Sequence, residues 1–128
     1  MLSATMRRRL RSFDLDLAFS LAAPALKVVI GPSGGGKTTL LRMLTGLDRP
    51  DEGLIRFGDE VWFDSVAGIN LPPRKRRLGY VFQDYTLFPH LSMFENAAFA
   101  AKDRGFAGEL MELFGIGHLR ERKPHMVS

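Results

Sequence analysis

The sequence has no cysteine, which excludes a disulfide framework and any thiolate metal site and suits a reducing, cytosolic setting. No apolar run comes near the roughly 20 residues needed to cross a bilayer, so the chain is not itself a membrane span. The amino-terminal stretch MLSATMRRRLRSFDLDLAF carries arginines. Aspartates interrupt it where the apolar core of a signal peptide belongs, so no export signal is read there. Internal repeats and low-complexity tracts are absent. The net charge is +4 and the pI about 9.9, which raises nucleic acid as a partner. The excess sits in two clusters, Arg7 to Arg11 and Arg74 to Arg77, and neither has the interleaved aromatics on which bases stack. Both are read as solvated basic faces, and nucleic acid is not counted among the expected partners.

What is present is ordinary globular material: 128 residues, 45% hydrophobic and 25% charged, enough for one modest core. Phe13 to Leu21, FDLDLAFSL, alternates apolar and polar residues and predicts a half-buried strand. Ala25 to Ile30, ALKVVI, is a β-branched run that predicts a buried strand of a mostly parallel sheet. From Lys37 the leucines at 40, 41, 44 and 47 recur at helical spacing, with Gly46 near the close. DRPDEG is a turn, and LIRFGDEVWFD predicts two short strands joined at Gly58-Asp59. RLGYVFQ, Arg77 to Gln83, predicts another buried strand. Ser92 with Glu95 three residues on is a capping box opening a helix. AGELMELFGI predicts a further helix and GHLRERK a short one. The order predicts an α/β protein with an antiparallel addition and a helical C-terminal part.

Gly31-Pro-Ser-Gly-Gly-Gly-Lys37-Thr38 fits the phosphate-loop pattern G-x-x-x-x-G-K-[ST] without a mismatch, between a predicted strand and a predicted helix. Phosphate oxygens must approach successive backbone N–H groups, and a Cβ obstructs both that approach and the dihedrals it needs. The helix starting near Lys37 adds unpaired N–H groups and the positive end of its dipole. The pattern therefore assigns nucleotide phosphates to the backbone of Ser33, Gly34, Gly35 and Gly36. Lys37 serves the β- and γ-phosphates, Thr38 offers its hydroxyl to Mg²⁺, and Thr39 reaches the α-phosphate. With glycine at about 7% of residues, such a match arises by chance on the order of a percent of the time or less. The loop alone does not separate ATPase motors, GTPases and small-molecule kinases.

A second stretch discriminates among them. In RRLGYVFQDYTLFPHLSMFENAAF, Arg76 to Phe99, a strand ending on Gln83 leads through an apolar turn to a capped helix. Leu87, Phe88 and Pro89 either tuck under their own domain or meet a partner.

Here the chain resembles the ATP-binding subunits of ABC transporters, on the blocks GPSGGGKTTLLRMLTGLDRPDEGLI (Gly31 to Ile55) and GYVFQDYTLFPHLSMFENAAF (Gly79 to Phe99). The resemblance runs from about Phe13 to Ser128. It implies a P-loop ATPase fold, with an antiparallel β subdomain and phosphate-loop core over about 1–91 and the start of a helical subdomain over about 92–128. It implies ATP and Mg²⁺ as ligands. Lys37 and Gln83 become catalytic residues, Gln83 touching Mg²⁺ and the attacking water. An integral membrane permease docks near Tyr85 to His90, and a second ATP-binding subunit completes the ATP site. The chain would then lie at the cytoplasmic face of a membrane as a peripheral subunit.

DEVWFDSVAGINLPPRKRRLGYVFQD, Asp59 to Asp84, is most similar to the ATPases of molybdate importers. ATPases that import sulfate, iron, polyamines or sugars share LFPHL and EN. In this light Arg74 to Arg77 belong to a strand-entry surface.

The family stacks adenine on an aromatic residue near its first strands. Phe13 and Phe19 are the nearby aromatics, and neither stands at a matching position. Val127 and Ser128 fall on the first two places of the family's signature motif. The Walker B aspartate, the catalytic glutamate and the switch histidine have no counterpart in these residues. His90, His118 and His125 read as surface histidines without a positioned partner. The isolated chain is accordingly expected to bind Mg-ATP weakly, hydrolyse it negligibly and tend to self-associate. The leading expectation is an ATPase energising import of an oxyanion, molybdate first. The alternatives are a catalytically inactive, truncated nucleotide-binding module, or the ATPase of an importer for sulfate, iron, polyamine or sugar; a P-loop ATPase acting on DNA is disfavoured by the apolar turn.

Overall fold

The computed structural model describes residues 1–22, 24–84 and 86–127. Contacts divide the chain into two units, Met1–Tyr80 and Val81–Ser128.

The first unit is built on an antiparallel sheet. Strand β1, Leu2–Arg9, alternates small or apolar residues with polar ones, and buries Ala4 and Met6. It was hidden in the sequence by its arginines, which drew attention as a charge cluster. Strand β2 (Asp14–Leu21), as the alternation predicts, pairs back on it. Strands β3 (Glu52–Phe57) and β4 (Glu60–Asp64) form the hairpin predicted at Gly58-Asp59, and the short β5 (Ile69–Asn70) closes the order β2-β1-β3-β4-β5. All pairings among the described residues are antiparallel. Their register brings Ala4 beside Ile55 and Ile55 beside Phe63, a row of three buried residues on one face.

Between Ile55 and Arg56 the register slips so that Trp62 is an extra residue on β4. A bulge of this kind lets two consecutive side chains turn inward, and Trp62 and Phe63 are both buried. Helix α1, Lys37–Thr45, lays Leu40 and Met43 onto the same core. Leu41 and Leu47, which helical spacing assigns to the apolar face, stay 45% and 38% exposed.

The basic cluster of β1 is matched by acids across the sheet. Arg7 bonds Asp16 at 2.9 Å and lies 3.9 Å from Glu52. The Arg8 Nε stands 3.9 Å from Asp51, and its Nη1 donates to the Arg49 carbonyl. At half-exposed positions such pairs contribute little stability, about 0–1 kcal/mol each, but they give Arg7 and Arg8 acidic neighbours.

Two predicted strands are not strands. Residues 25–30 and 77–83 take no place in any ladder, and Leu26, Val28, Ile30 and Val81 are among the most exposed apolar side chains. The expected parallel sheet is likewise absent among the described residues. The reason is that a β-branched run becomes a strand only beside a partner. Every pairing among the described residues is spent within the antiparallel sheet.

In the second unit, helix α2 (Met93–Ala98) starts with the predicted capping box. Ser92 Oγ accepts from the Glu95 N–H at 3.1 Å, and the Glu95 carboxylate accepts from the Ser92 N–H at 2.7 Å. Those bonds hold the Glu95 carboxyl below the usual carboxylate range. Helix α3, Arg104–Leu113, is capped by Asp103 and buries Ala107 and Met111. GHLRERK contributes a 3₁₀ turn at Gly117–Leu119 rather than an α-helix. Arg120 and Arg104 lie 4.0 and 5.3 Å from the centre of the Phe94 ring. Ser92→Ala is expected to cost about 1 kcal/mol of α2 stability, measured as several-fold faster amide exchange in Met93–Ala98. Unchanged exchange would show that the cap is not what fixes this helix. Among the described residues no helix is long and apolar enough to cross a membrane.

Candidate functional site

The phosphate-loop residues lie where β2 and the exposed segment 25–30 give way to α1. Gly34 and Gly36 have φ of +77° and +81°, values that side chains rarely tolerate. A Cβ on Gly35 would meet the Pro32 carbonyl at 3.0 Å, and the Gly35 N–H already donates to that oxygen at 3.1 Å. The loop is thus a tight turn whose glycines are demanded by its own path. Gly36 is packed from behind, since a Cβ there would touch Leu15 and Phe13 at 3.1 and 3.4 Å.

How each helix begins bears on what binds. Side-chain oxygens cap α2 and α3, whereas α1 has no side-chain cap and no acid in its first turn. Its first N–H groups therefore have no intrahelical acceptor and want an anion. Lys37, half-buried at the helix start, donates from Nζ to the carbonyls of Gly31 and Pro32 at 2.9 and 2.7 Å. The ammonium is folded back over the loop mouth rather than spread into solvent. Thr38 is exposed and Thr39 half-buried.

The loop's donor set fits a triphosphate: backbone N–H groups, a helix N-terminus and one ammonium, with no acid in the first turn of α1. Magnesium takes oxygen ligands, keeps several waters and shares phosphate oxygens, so it needs only one or two protein groups. An exposed threonine hydroxyl at the first turn of α1 meets that requirement. No group of three or more His, Asp or Glu that would cage a metal occurs among the described residues.

Gln83 is exposed, in a bend of the second unit. The apolar turn that follows is held by Asn96. Its Oδ1 accepts from the Phe88 N–H at 2.7 Å, and its Nδ2 donates to the carbonyls of Phe88, Leu91 and Ser92 at 3.1, 3.3 and 2.9 Å. Phe88 packs on Phe99 with ring centres 4.5 Å apart. Leu87 and Phe88 are nevertheless 42% and 38% exposed, so the turn does not tuck them away. Tyr85 and Ser128 lie outside the described residues. His90, His118 and His125 are all exposed. Phe19 carries Lys27 at 4.9 Å from its ring centre.

The sequence reading missed Arg76. It assigned Arg74 to Arg77 to a surface, and Arg74, Lys75 and Arg77 are exposed. Arg76 is buried, 2% exposed. Nothing local distinguishes it from its neighbours. The only signal is that a leucine-rich helix ending in Gly46 leaves carbonyls in need of donors.

Comparison with known proteins gives the family and the fold. The sequence profile of the family described as "ABC transporter" matches residues 15–128. The chain is 46% identical to the molybdenum import ATP-binding protein of Paramagnetospirillum magneticum, over 100% of its own length and 37% of that protein's. It is 40% identical to the protein of the same name in Photobacterium profundum, over 99% and 36%. For the one in Brucella abortus the values are 43%, over 99% and 36%. The chain thus spans little more than a third of the curated relatives it matches. Among solved structures it superposes, with a TM-score of 0.74 and 22% identity, on a dimeric ATP-binding cassette in a post-hydrolysis state bound to ADP and Pi, covering 100% of this chain and 63% of that one.

Proposed function

Since this chain belongs to the ABC transporter family, we propose that it is the nucleotide-binding part of a subunit whose ATP hydrolysis drives import of a molybdenum oxyanion. The observation that carries the reading is the uncapped start of α1 beneath a glycine loop, with Lys37 already folded over its mouth. The names of the relatives support the choice of substrate.

In this reading the backbone of Ser33 to Gly36 and the first turn of α1 bind the phosphates. Lys37 exchanges its carbonyl contacts for the β- and γ-phosphates, and Thr39 reaches the α-phosphate. Thr38 would hold Mg²⁺, as would Gln83, and the ion when bound would supply positive charge to the phosphates. Gln83 also orients the attacking water, and Lys37 withdraws charge from the transferred phosphoryl. Residues 1–91 supply the loop and the antiparallel sheet, and 92–128 open the helical subdomain.

The exposed turn through Leu87 and Phe88, rigidified by Asn96, is the surface for a membrane permease. A second ATP-binding subunit completes the site, and the assembly sits at the cytoplasmic face of the membrane. The cost of leaving those apolar side chains in water supports a partner there.

Titration of the chain with Mg-ATP, followed calorimetrically, tests the phosphate site. Lys37→Ala removes a charged donor and is expected to weaken binding by at least about tenfold. Equal affinity of the two proteins would defeat the reading.

A further inference from the structure

Arg76 is a buried cation to which no acidic side chain among the described residues is ion-paired. Its neighbours compensate it with dipoles instead. Nε donates to the Leu71 carbonyl at 2.8 Å, and Nη1 donates to the carbonyls of Met43 and Leu44 at 2.9 and 2.8 Å. Nη2 donates to the Trp62 carbonyl at 3.3 Å and to Asn70 Oδ1 at 3.2 Å. A guanidinium has five N–H groups in a fixed fork, and each has an acceptor here. The Trp62 ring, turned inward by the bulge, lies 5.8 Å from the guanidinium carbon.

Two of those acceptors are carbonyls in the last turn of α1, Met43, which also accepts from the Gly46 N–H at 3.2 Å, and Leu44; the others belong to β4, β5 and the residue after it. The fork therefore ties the helix to the sheet at one end only, and it puts positive charge at the helix's negative pole. Gly46 makes room for it. With φ of +80° it ends the helix, and a Cβ there would lie 2.8 Å from the guanidinium. The other end of α1, about 13 Å away at 1.5 Å per residue, is the uncapped start that carries Gly36, Lys37 and Thr38. Burial disfavours the charged form of Arg76, so the arrangement is costly unless every acceptor stays in place.

We propose that Arg76 is a positioning residue for the phosphate loop: by gripping the last carbonyls of α1, it fixes the axial place and tilt of that helix, and hence of the N–H groups and Lys37 at its start. This rests on the loop being the phosphate site. Lysine cannot replace it, because three donors on one nitrogen cannot reach five acceptors spread over three segments.

The test compares wild type, Arg76→Lys and Lys37→Ala as isotopically labelled chains. It reads the amide signals of Gly34 to Thr38 without ligand, then the affinity for Mg-ATP. In Arg76→Lys the loop amides are expected to shift and the affinity to fall roughly fivefold or more, with the β1–β2 amides unmoved. Where wild type binds, unchanged affinity in a folded Arg76→Lys overturns the proposal. If wild type and Lys37→Ala both fail to bind, the phosphate-site reading has failed. The free-state loop amides then decide Arg76: shifted, it positions the loop, and unshifted, it only packs. Should Arg76→Lys not fold, Asn70→Ala withdraws a single acceptor and is judged by the same two readouts.

Discussion

Gly53→Ala is expected to destabilise the Met1–Tyr80 unit by at least about 3 kcal/mol, the sum of backbone strain and overpacking. Gly53 sits inside β3, opposite Met6 of β1, with φ of +128°. A methyl group there would run into the carbonyl oxygen of Thr5, with the Thr5 carbonyl carbon at 2.8 Å and the Met6 Cα at 3.0 Å. These are backbone atoms of a strand paired on both sides, so neither can move aside without breaking a ladder. Gly53 is also tied to Ser65, whose Oγ accepts from the Gly53 N–H at 3.0 Å and whose N–H donates to the Gly53 carbonyl at 3.0 Å. Set against a typical domain stability of about 5–15 kcal/mol, the loss is large. Urea unfolding followed by circular dichroism measures it, and a cost below about 1 kcal/mol would mean that β1 and β3 can separate freely at this point.

The second large effect is at Phe63. Its side chain is fully buried, in a row with Ala4 and Ile55 and under Leu40 and Met43 of α1. Phe63→Ala removes that area and leaves a cavity between sheet and helix, at a cost of about 3–5 kcal/mol. Phe57 supplies the contrast on the neighbouring strand. It is 46% exposed and stacks on Trp62 with ring centres 5.2 Å apart, so Phe57→Ala should cost only about 1 kcal/mol. Urea midpoints of the two variants decide the matter. Equal losses would place the core elsewhere than on the face shared by β4 and α1.

The features legible in the sequence were those with local causes. The phosphate loop, the start of α1 and its end at Gly46, the Gly58-Asp59 hairpin and the Ser92–Glu95 capping box each depend on residues within a few positions of one another. What depended on distant partners was read less well. Residues 25–30 and 77–83 have the composition of buried strands, yet composition supplies no neighbour to pair with. Gly53 was read as the last residue of a turn, because nothing near it announces that β1 will lie alongside. Strand β1 itself is masked by its arginines, and the acids at 51 and 52 that stand near Arg7 and Arg8 are far along the chain. The same holds at the site. Lys37 and its glycines form a contiguous word, whereas Arg76 is meaningful only through carbonyls of α1 and β4. Phe13 reads as the first residue of a strand and as an aromatic near the adenine-stacking place, whereas the structure starts the strand at Asp14 and places the Phe13 ring behind Gly36.

The sheet order carries one more consequence. β1 is the first strand of the chain and lies between its hairpin neighbour β2 and the much later β3, so the ladder that pairs Leu2 with Phe57 encloses everything between them. The phosphate loop and α1 are thus carried inside the long segment that this pairing must close. The β1–β2 hairpin can form early from neighbouring residues, but the core face of α1 has no complete sheet to rest on until β3 arrives. Closing so long a segment is the slow kind of step in folding, since its entropy is lost before the distant contacts repay it. The loop's geometry is therefore among the last features of the first unit to become fixed, although its residues are among the earliest to be made.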